Sequence, residues 1–163
     1  MDISHKTILL AEDDPNDEEL FRQAIAQANI NCRVEVARDG EELMRYLFGT
    51  ADQRRVEPGA DIDLVLLDLK MPKLNGLQVL TVMHNAHGAG HEHAPPIVVF
   101  TSSDAEQDVS TAYDLGAVSY VAKPVTHGRF VETVQQLVIY WLGVNRRAPR
   151  RRQRGASWAS TTS

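Results

Sequence analysis

Four short apolar runs in this sequence each lead into residues that can do chemistry. Residues 6–11 run into Glu12, Asp13 and Asp14, and residues 61–67 end at Asp68. Residues 97–100 end at Thr101 and Ser102, and residues 118–121 are followed closely by Lys123 and Pro124. Carboxylates such as Asp13, Asp14 and Asp68, brought together, repel one another unless positive charge is supplied. An all-oxygen ligand set favours a hard cation such as Mg²⁺, which keeps several waters and takes few protein carboxylates. Such a cation lowers the negative charge around Asp68 and admits an anionic phosphoryl group. Lys123 adds a second positive charge and Thr101 a hydrogen-bond donor. Positioning plus electrostatic stabilisation is what phosphoryl transfer needs. A lone Asp pair, or one Asp closing a strand, is more often a solvated or capping group. The signal is the convergence of four strand ends on compatible chemistry.

That convergence depends on the elements that carry the runs. Short, unbroken Val/Ile/Leu runs read as strands buried on both faces. Between them lie helical patterns. Pro15 opens a helix with Leu20, Ala24 and Ala28 at i, i+4, i+8 and Phe21 and Ile25 beside them, capped by Asp14 or Asn16. Val34 and Val36 mark a second strand. Asp39-Gly40 turns into a helix carrying Leu43, Tyr46 and Leu47, and residues 49–60 read as a loop. The spacing predicts further helices over 74–86, 104–115 and 125–144, the last amphipathic through Phe130, Val134, Leu137, Val138 and Trp141. Strand and helix alternate five times, so the predicted fold is α/β, a doubly wound five-stranded parallel sheet with helices on both faces. In that architecture ligands bind beyond the carboxyl ends of the strands, where the polar residues cluster here.

Composition excludes several classes. The 163 residues are 43% apolar and 24% charged, as in ordinary globular proteins, and no stretch approaches a membrane span. The opening residues lack the basic-then-apolar order of a signal peptide, and the single Cys32, read as a buried filler beside the second strand, can form no internal disulfide. Both features set the expected location as the cytoplasm. The net charge of −5 conceals an asymmetry: residues 1–145 hold eleven Lys and Arg against all 22 Asp and Glu. A body of net charge −11 is a poor nucleic-acid binder. Six Arg lie within 146–154 with no acid among them, so residues 146–163 read as a flexible basic tail following a domain over 1–145. His84, His87, His91 and His93 raise the thought of a transition-metal site. No Cys or paired carboxylate stands at a suitable spacing, and they read as a solvated loop.

The strand-end residues resemble those of the receiver domains of bacterial response regulators, the CheY-like family. The matching residues are Asp13-Asp14, the stretch Asp68-Leu-Lys-Met-Pro-Lys-Leu-Asn-Gly76, Thr101-Ser-Ser103 and Tyr120-Val-Ala-Lys-Pro124, and the likeness spans roughly residues 5–143. The resemblance implies that Asp68 is the phosphoacceptor and that Asp13 and Asp14 handle Mg²⁺, with the backbone carbonyl of Lys70 completing the protein ligands. It implies that Lys123 pairs with the acyl phosphate, that Thr101 is a switch hydroxyl, and that Tyr120 is a ring that turns inward with it. It further implies a cis bond between Lys123 and Pro124, and an effect of the Lys70 and Ser103 side chains on phosphate lifetime. Ala11-Glu-Asp-Asp-Pro-Asn-Asp17 and Tyr140-Trp-Leu142 are similar to the single-domain regulators paired with bacterial phytochromes. The implied partner is then a sensor histidine kinase, a bacteriophytochrome in that subgroup. Signal output through a homodimer is expected on the helix 4–strand 5–helix 5 region.

Two other functions compete. A Mg²⁺-dependent phosphohydrolase of the haloacid dehalogenase type wants a second Asp two residues after its nucleophile, where this chain has Lys70. A binding module acting through the Arg tail makes Asp68 dispensable and predicts a steep salt dependence. A dinucleotide-binding domain fails earlier, because no Gly-x-Gly-x-x-Gly follows the first strand.

Overall fold

Every position of Thr7–Ala11 (β1), Leu64–Leu67 (β3) and Ile97–Thr101 (β4) is buried, which is the behaviour of central strands covered on both faces. The computed structural model describes residues 2–49, 62–86 and 94–147. Arg33–Ala37 (β2) and Ser119–Ala122 (β5) are only partly buried and form the two edges. All pairings are parallel, in the order β2-β1-β3-β4-β5. The reversal of direction between β1 and β3 creates the switch point at which ligands collect in doubly wound sheets.

The two-residue side-chain period of the strands divides the core. Leu9, Val65, Leu67 and Val99 face Gly40–Phe48 (α2), Gly76–Ala86 (α3) and Glu106–Asp114 (α4) through Leu43, Val79, Leu80 and Ala112. Ile8, Leu10, Leu64, Leu66 and Val98 face Pro15–Gln27 (α1) and His127–Val138 (α5) through Phe21, Ala24, Phe130 and Val134. The five-stranded α/β expectation is met, and Cys32 is a half-buried packing residue whose thiol burial pushes upward in pKa.

Local caps explain where the elements start. Asp14 caps α1 through the Asn16 N–H at 2.8 Å, with Pro15 at the first position. Asp39 caps α2 through the Glu42 N–H. Asn75 and Gln78 exchange side-chain-to-backbone bonds at 2.9 Å each, a reciprocal box that starts α3 at Gly76 and not at Leu74. At Gly76 a Cβ would lie 2.6 Å from the Asp68 carbonyl oxygen, so only glycine lets α3 approach the end of β3 this closely.

Other predicted boundaries shift as well. The ladder of β3 begins at Leu64, because the Asp63 carboxylate turns to the Thr7 N–H at 2.9 Å. α4 begins at Glu106, and α5 at His127, after a fully exposed Val125. The last helix does not stay α to its end. Ile139–Val144 widens into a π-helical stretch that closes with the Asn145 N–H on the Tyr140 carbonyl, five residues back. The expected cis bond before Pro124 is also absent: no peptide bond is cis among the described residues. The Lys123 N–H instead extends the sheet by reaching the Thr101 carbonyl at 2.7 Å, and trans is the isomer X–Pro bonds ordinarily favour.

On the outer side of β5, the Tyr120 N–H is bound by the Tyr113 hydroxyl of α4 at 3.1 Å. At the opposite end of the strands, Arg147 donates to the Ile62 carbonyl at 3.3 Å and stands 3.9 Å from Asp63. The predicted loop beyond Gly49, His87, His91 and His93, and the tail from residue 148 lie outside the described residues. Among the described residues no helix is long and apolar enough to cross a membrane.

Candidate functional site

Asp68 is the first residue past β3 and is nearly buried, its N–H held by the Ala11 carbonyl at 3.1 Å. Each of its carboxylate oxygens is engaged. Oδ1 accepts from the Thr101 hydroxyl at 2.9 Å and the Lys70 N–H at 3.1 Å, and Oδ2 accepts from the Lys123 ammonium at 2.8 Å. Thr101, the last residue of β4, is fully buried. The predicted convergence of β3, β4 and β5 ends on one carboxylate is therefore real.

Lys123 Nζ also donates to Glu12 Oε2 at 2.6 Å and Asp17 Oδ2 at 2.7 Å. Its side chain is 8% exposed, so these are bonds in a poorly hydrated setting and are worth more than surface ion pairs. Burial pushes the Lys123 ammonium down in pKa, but the hydrogen bonds it donates to Asp17, Asp68 and Glu12 outweigh it and hold the ammonium above its ordinary value. Glu12 is displaced upward to about 7, chiefly by burial and further by the Asp68 charge, with Lys123 and the Asp14 N–H pulling the other way.

The acidic group that could grip a cation differs by one residue from the expected pair. Glu12, Asp13 and Asp68 place carboxylate oxygens within 4.8 Å of one another. Asp14 is exposed and spends its side chain on the cap of α1. The reason is local: β1 ends at Ala11, Glu12 turns inward, and by Asp14 the chain is already entering the helix. Counting Asp17, the site gathers four carboxylates, three of them on the one ammonium of Lys123, which leaves negative charge in excess. That excess and the oxygen-only donor set fit a hard divalent cation. The sequence places Glu12 at the strand end but points to Asp13 and Asp14 for the cation, and it gives Asp17 no role. The signal for Glu12 was available, since the first residue after a fully buried strand has its side chain nearest the sheet end. Asp17 gave no such signal, because it looks like any first-turn acid of a helix.

Tyr120 lies half-buried with its hydroxyl donating to the Ser103 carbonyl at 2.8 Å, and burial raises its phenol pKa. Ser103 Oγ donates in turn to Asp108 of α4 at 2.7 Å. Lys70 Nζ reaches Ser102 Oγ at 3.2 Å, bridging the loops that follow β3 and β4. His84, at the end of α3, lies apart from the site, in the wall of an apolar pocket of about 230 Å³ formed with Met83, Pro95, Leu115 and Val118.

Comparison with known proteins identifies the family and the fold. The family model described as the response regulator receiver domain matches residues 8–135. The response regulator Rcp1 of Synechocystis sp. is 31% identical over 84% of this chain and 89% of its own length. The crystal structure of the phosphorylated cyanobacterial phytochrome response regulator RcpA superposes with a TM-score of 0.73 at 31% identity, covering 87% of this chain and 97% of that one. The bacteriophytochrome response regulator AtBRR is 40% identical, with a TM-score of 0.62 over 89% of this chain and 97% of that one.

Proposed function

The chain belongs to the response regulator receiver domain family and is a two-component signalling module, and from that premise we propose that Asp68 accepts a phosphoryl group from a sensor histidine kinase. The observation that carries the proposal is the Asp68 carboxylate itself. It is oriented by Thr101, the Lys70 N–H and Lys123, beside the Glu12–Asp13 pair. In the transfer one Asp68 oxygen forms a bond to phosphorus while the phosphorus–nitrogen bond of a phosphohistidine breaks, and the departing imidazole takes up a proton. Lys123 and the Thr101 hydroxyl stand where they can receive the charge brought onto Asp68.

Glu12, Asp13 and Asp68 are the side chains we assign to Mg²⁺, with the Lys70 carbonyl as a further ligand, and Asp14 is left to its cap. A bound Mg²⁺ supplies charge neutralisation for the incoming phosphoryl group. Receiver domains are signalling modules, and the chemistry of this one is its own phosphorylation and dephosphorylation. A phosphoryl group adds a charge of about −1.5 to −2 on Asp68, which favours the arrangement with Thr101 drawn toward the phosphate and Tyr120 turned inward. The likeness to phytochrome response regulators supports a bacteriophytochrome as the kinase. Exposed Ile139, Tyr140 and Val144 on the last helix support contact with a second copy of the chain.

Intact-mass spectrometry after incubation with acetyl phosphate tests the proposal. One phosphoryl group gained with Mg²⁺, lost with a chelator and mapped to the peptide containing Asp68 is the expected result. No gain in a folded sample removes the reading.

Cation binding is also expected to depend on pH. With a folded pKa of about 7 against an ordinary 4.5, Glu12 holds its proton in the metal-free protein up to near neutrality. The sign follows from linkage: this proton stabilises the metal-free fold below the ordinary value, and that contribution is lost as pH rises from 4.5 to about 7. Because a carboxylate must be deprotonated to bind a cation, Mg²⁺ affinity rises across that window, by up to about tenfold per pH unit, and levels off above it. Calorimetric titration at pH 6 and pH 8 checks this, and equal affinities at the two values would mean that no cation ligand gives up a proton between them.

A further inference from the structure

An ammonium group has three N–H bonds, and Lys123 uses all three on carboxylates: Glu12 at 2.6 Å, Asp17 at 2.7 Å and Asp68 at 2.8 Å. Two of these partners have other work. Glu12 and Asp68 belong to the oxygen cluster assigned to the cation, and Asp68 is the assigned phosphoacceptor. Asp17 belongs to neither group. It sits in the first turn of α1, a helix fixed by the Asp14 cap, by Pro15 and by the Gln135 side-chain bond to the Ala24 carbonyl. Lysine is a long, rotamer-rich side chain that ordinarily keeps its head in water. Here the head is buried, and the ring of Phe100, 6.0 Å from Nζ at its centroid, is its apolar neighbour.

Resting on the reading of Asp68 as phosphoacceptor, we propose that Asp17 is a positioning residue that anchors the Lys123 ammonium beside Asp68 once Glu12 and Asp68 are drawn to a cation and a phosphoryl group. With two of its partners committed elsewhere, Lys123 has one fixed counter-charge left to hold it at the reacting carboxylate. The anchor comes from a different element than the two it replaces. Reorganisation at the ends of β1 and β3 therefore leaves the Lys123 head in place, with two N–H bonds free to meet phosphoryl oxygens.

The test is the rate of phosphoryl gain from acetyl phosphate at saturating Mg²⁺, followed by intact mass for the wild type, Asp17→Ala and Asp17→Asn. Asp17→Ala is expected to slow the reaction about tenfold, a cost of misplacing one charged group. Asp17→Asn keeps the shape and an acceptor oxygen but loses the charge, so it falls between the two. A merely structural role is separated by the ¹⁵N-detected ammonium signal of Lys123. In the Mg²⁺-loaded wild type it is expected to be protected from exchange with water, and in Asp17→Ala it broadens away while thermal melting shows the domain still folded. If Asp17→Ala melts, the isosteric Asp17→Asn carries the same two readouts. A wild type that is phosphorylated, with both variants reacting at its rate and keeping the Lys123 signal, overturns the anchor alone. A wild type that takes no phosphoryl group overturns it together with the reading of Asp68.

Discussion

Asp68→Asn gains no phosphoryl mass from acetyl phosphate and Mg²⁺ over the time in which the wild type is fully converted. This total loss is the largest effect expected at any position. An amide oxygen is not nucleophilic as a carboxylate oxygen is, and no other described carboxylate has the Thr101, Lys70 and Lys123 donors that orient Asp68. The variant is expected to fold. Its amide oxygen can keep the Thr101 and Lys70 bonds, but the amide NH₂ then faces the Lys123 ammonium, donor against donor. Lys123 retains Glu12 and Asp17, so the stability cost is about 1.5–3 kcal/mol, that of one charge-assisted hydrogen bond. Urea denaturation beside the mass measurement separates lost chemistry from lost fold. A phosphoryl group still gained by a folded Asp68→Asn would place the acceptor elsewhere.

The second large effect is at Lys123. Lys123→Met fills a similar volume but removes the counter-charge of Glu12, Asp17 and Asp68 together. Breaking a buried ion pair from one side typically costs about 3–5 kcal/mol, because the abandoned charges stay buried. That loss is expected in the metal-free variant at pH 8. It shrinks on acidification, since a carboxylate whose folded pKa is raised binds its proton more tightly when folded and stabilises the fold as pH falls. Mg²⁺ restores part of it by replacing the missing positive charge. Phosphorylation is expected to slow by about 10²–10³-fold even with saturating Mg²⁺, the usual effect of removing one preorganised electrostatic group. Denaturation curves at pH 6 and pH 8, with and without Mg²⁺, read all of these effects. A metal-free Lys123→Met as stable as the wild type at pH 8 would mean that the carboxylates are already neutral without Lys123.

The sequence makes the topology plain because the signal for it is long-range and redundant. Five apolar runs alternate with helical periodicities, and four of them end in residues of compatible chemistry. Asp68, Thr101 and Lys123 are legible for that reason, each closing or closely following a strand, fully buried for the first two and an edge strand for the third. What was not legible turns on single residues. Whether Asp13 is partnered by Glu12 or by Asp14 depends on where β1 stops and the α1 cap begins, one position in a row of three acids. Hydrophobic periodicity does not resolve boundaries that finely. Asp17 meets Lys123 only because α1 and the end of β5 are adjacent in space, a contact between residues more than a hundred positions apart. The π-helical end of the last helix also left no trace, because the apolar spacing over Ile139–Val144 continues the helical pattern whichever hydrogen-bond spacing closes the turn.

The Tyr113 hydroxyl bound to the Tyr120 N–H bears on how this chain behaves in a crowded solution. An open sheet offers its outermost backbone donors to any extended peptide that drifts alongside, and that is a common seed for intermolecular strand addition and fibril growth. The last strand here is only four residues long, and one of its outward donors is already taken by a side chain from the preceding helix. A drifting strand must first displace that phenol, so the same bond that ties helix to sheet also discourages aggregation along this margin.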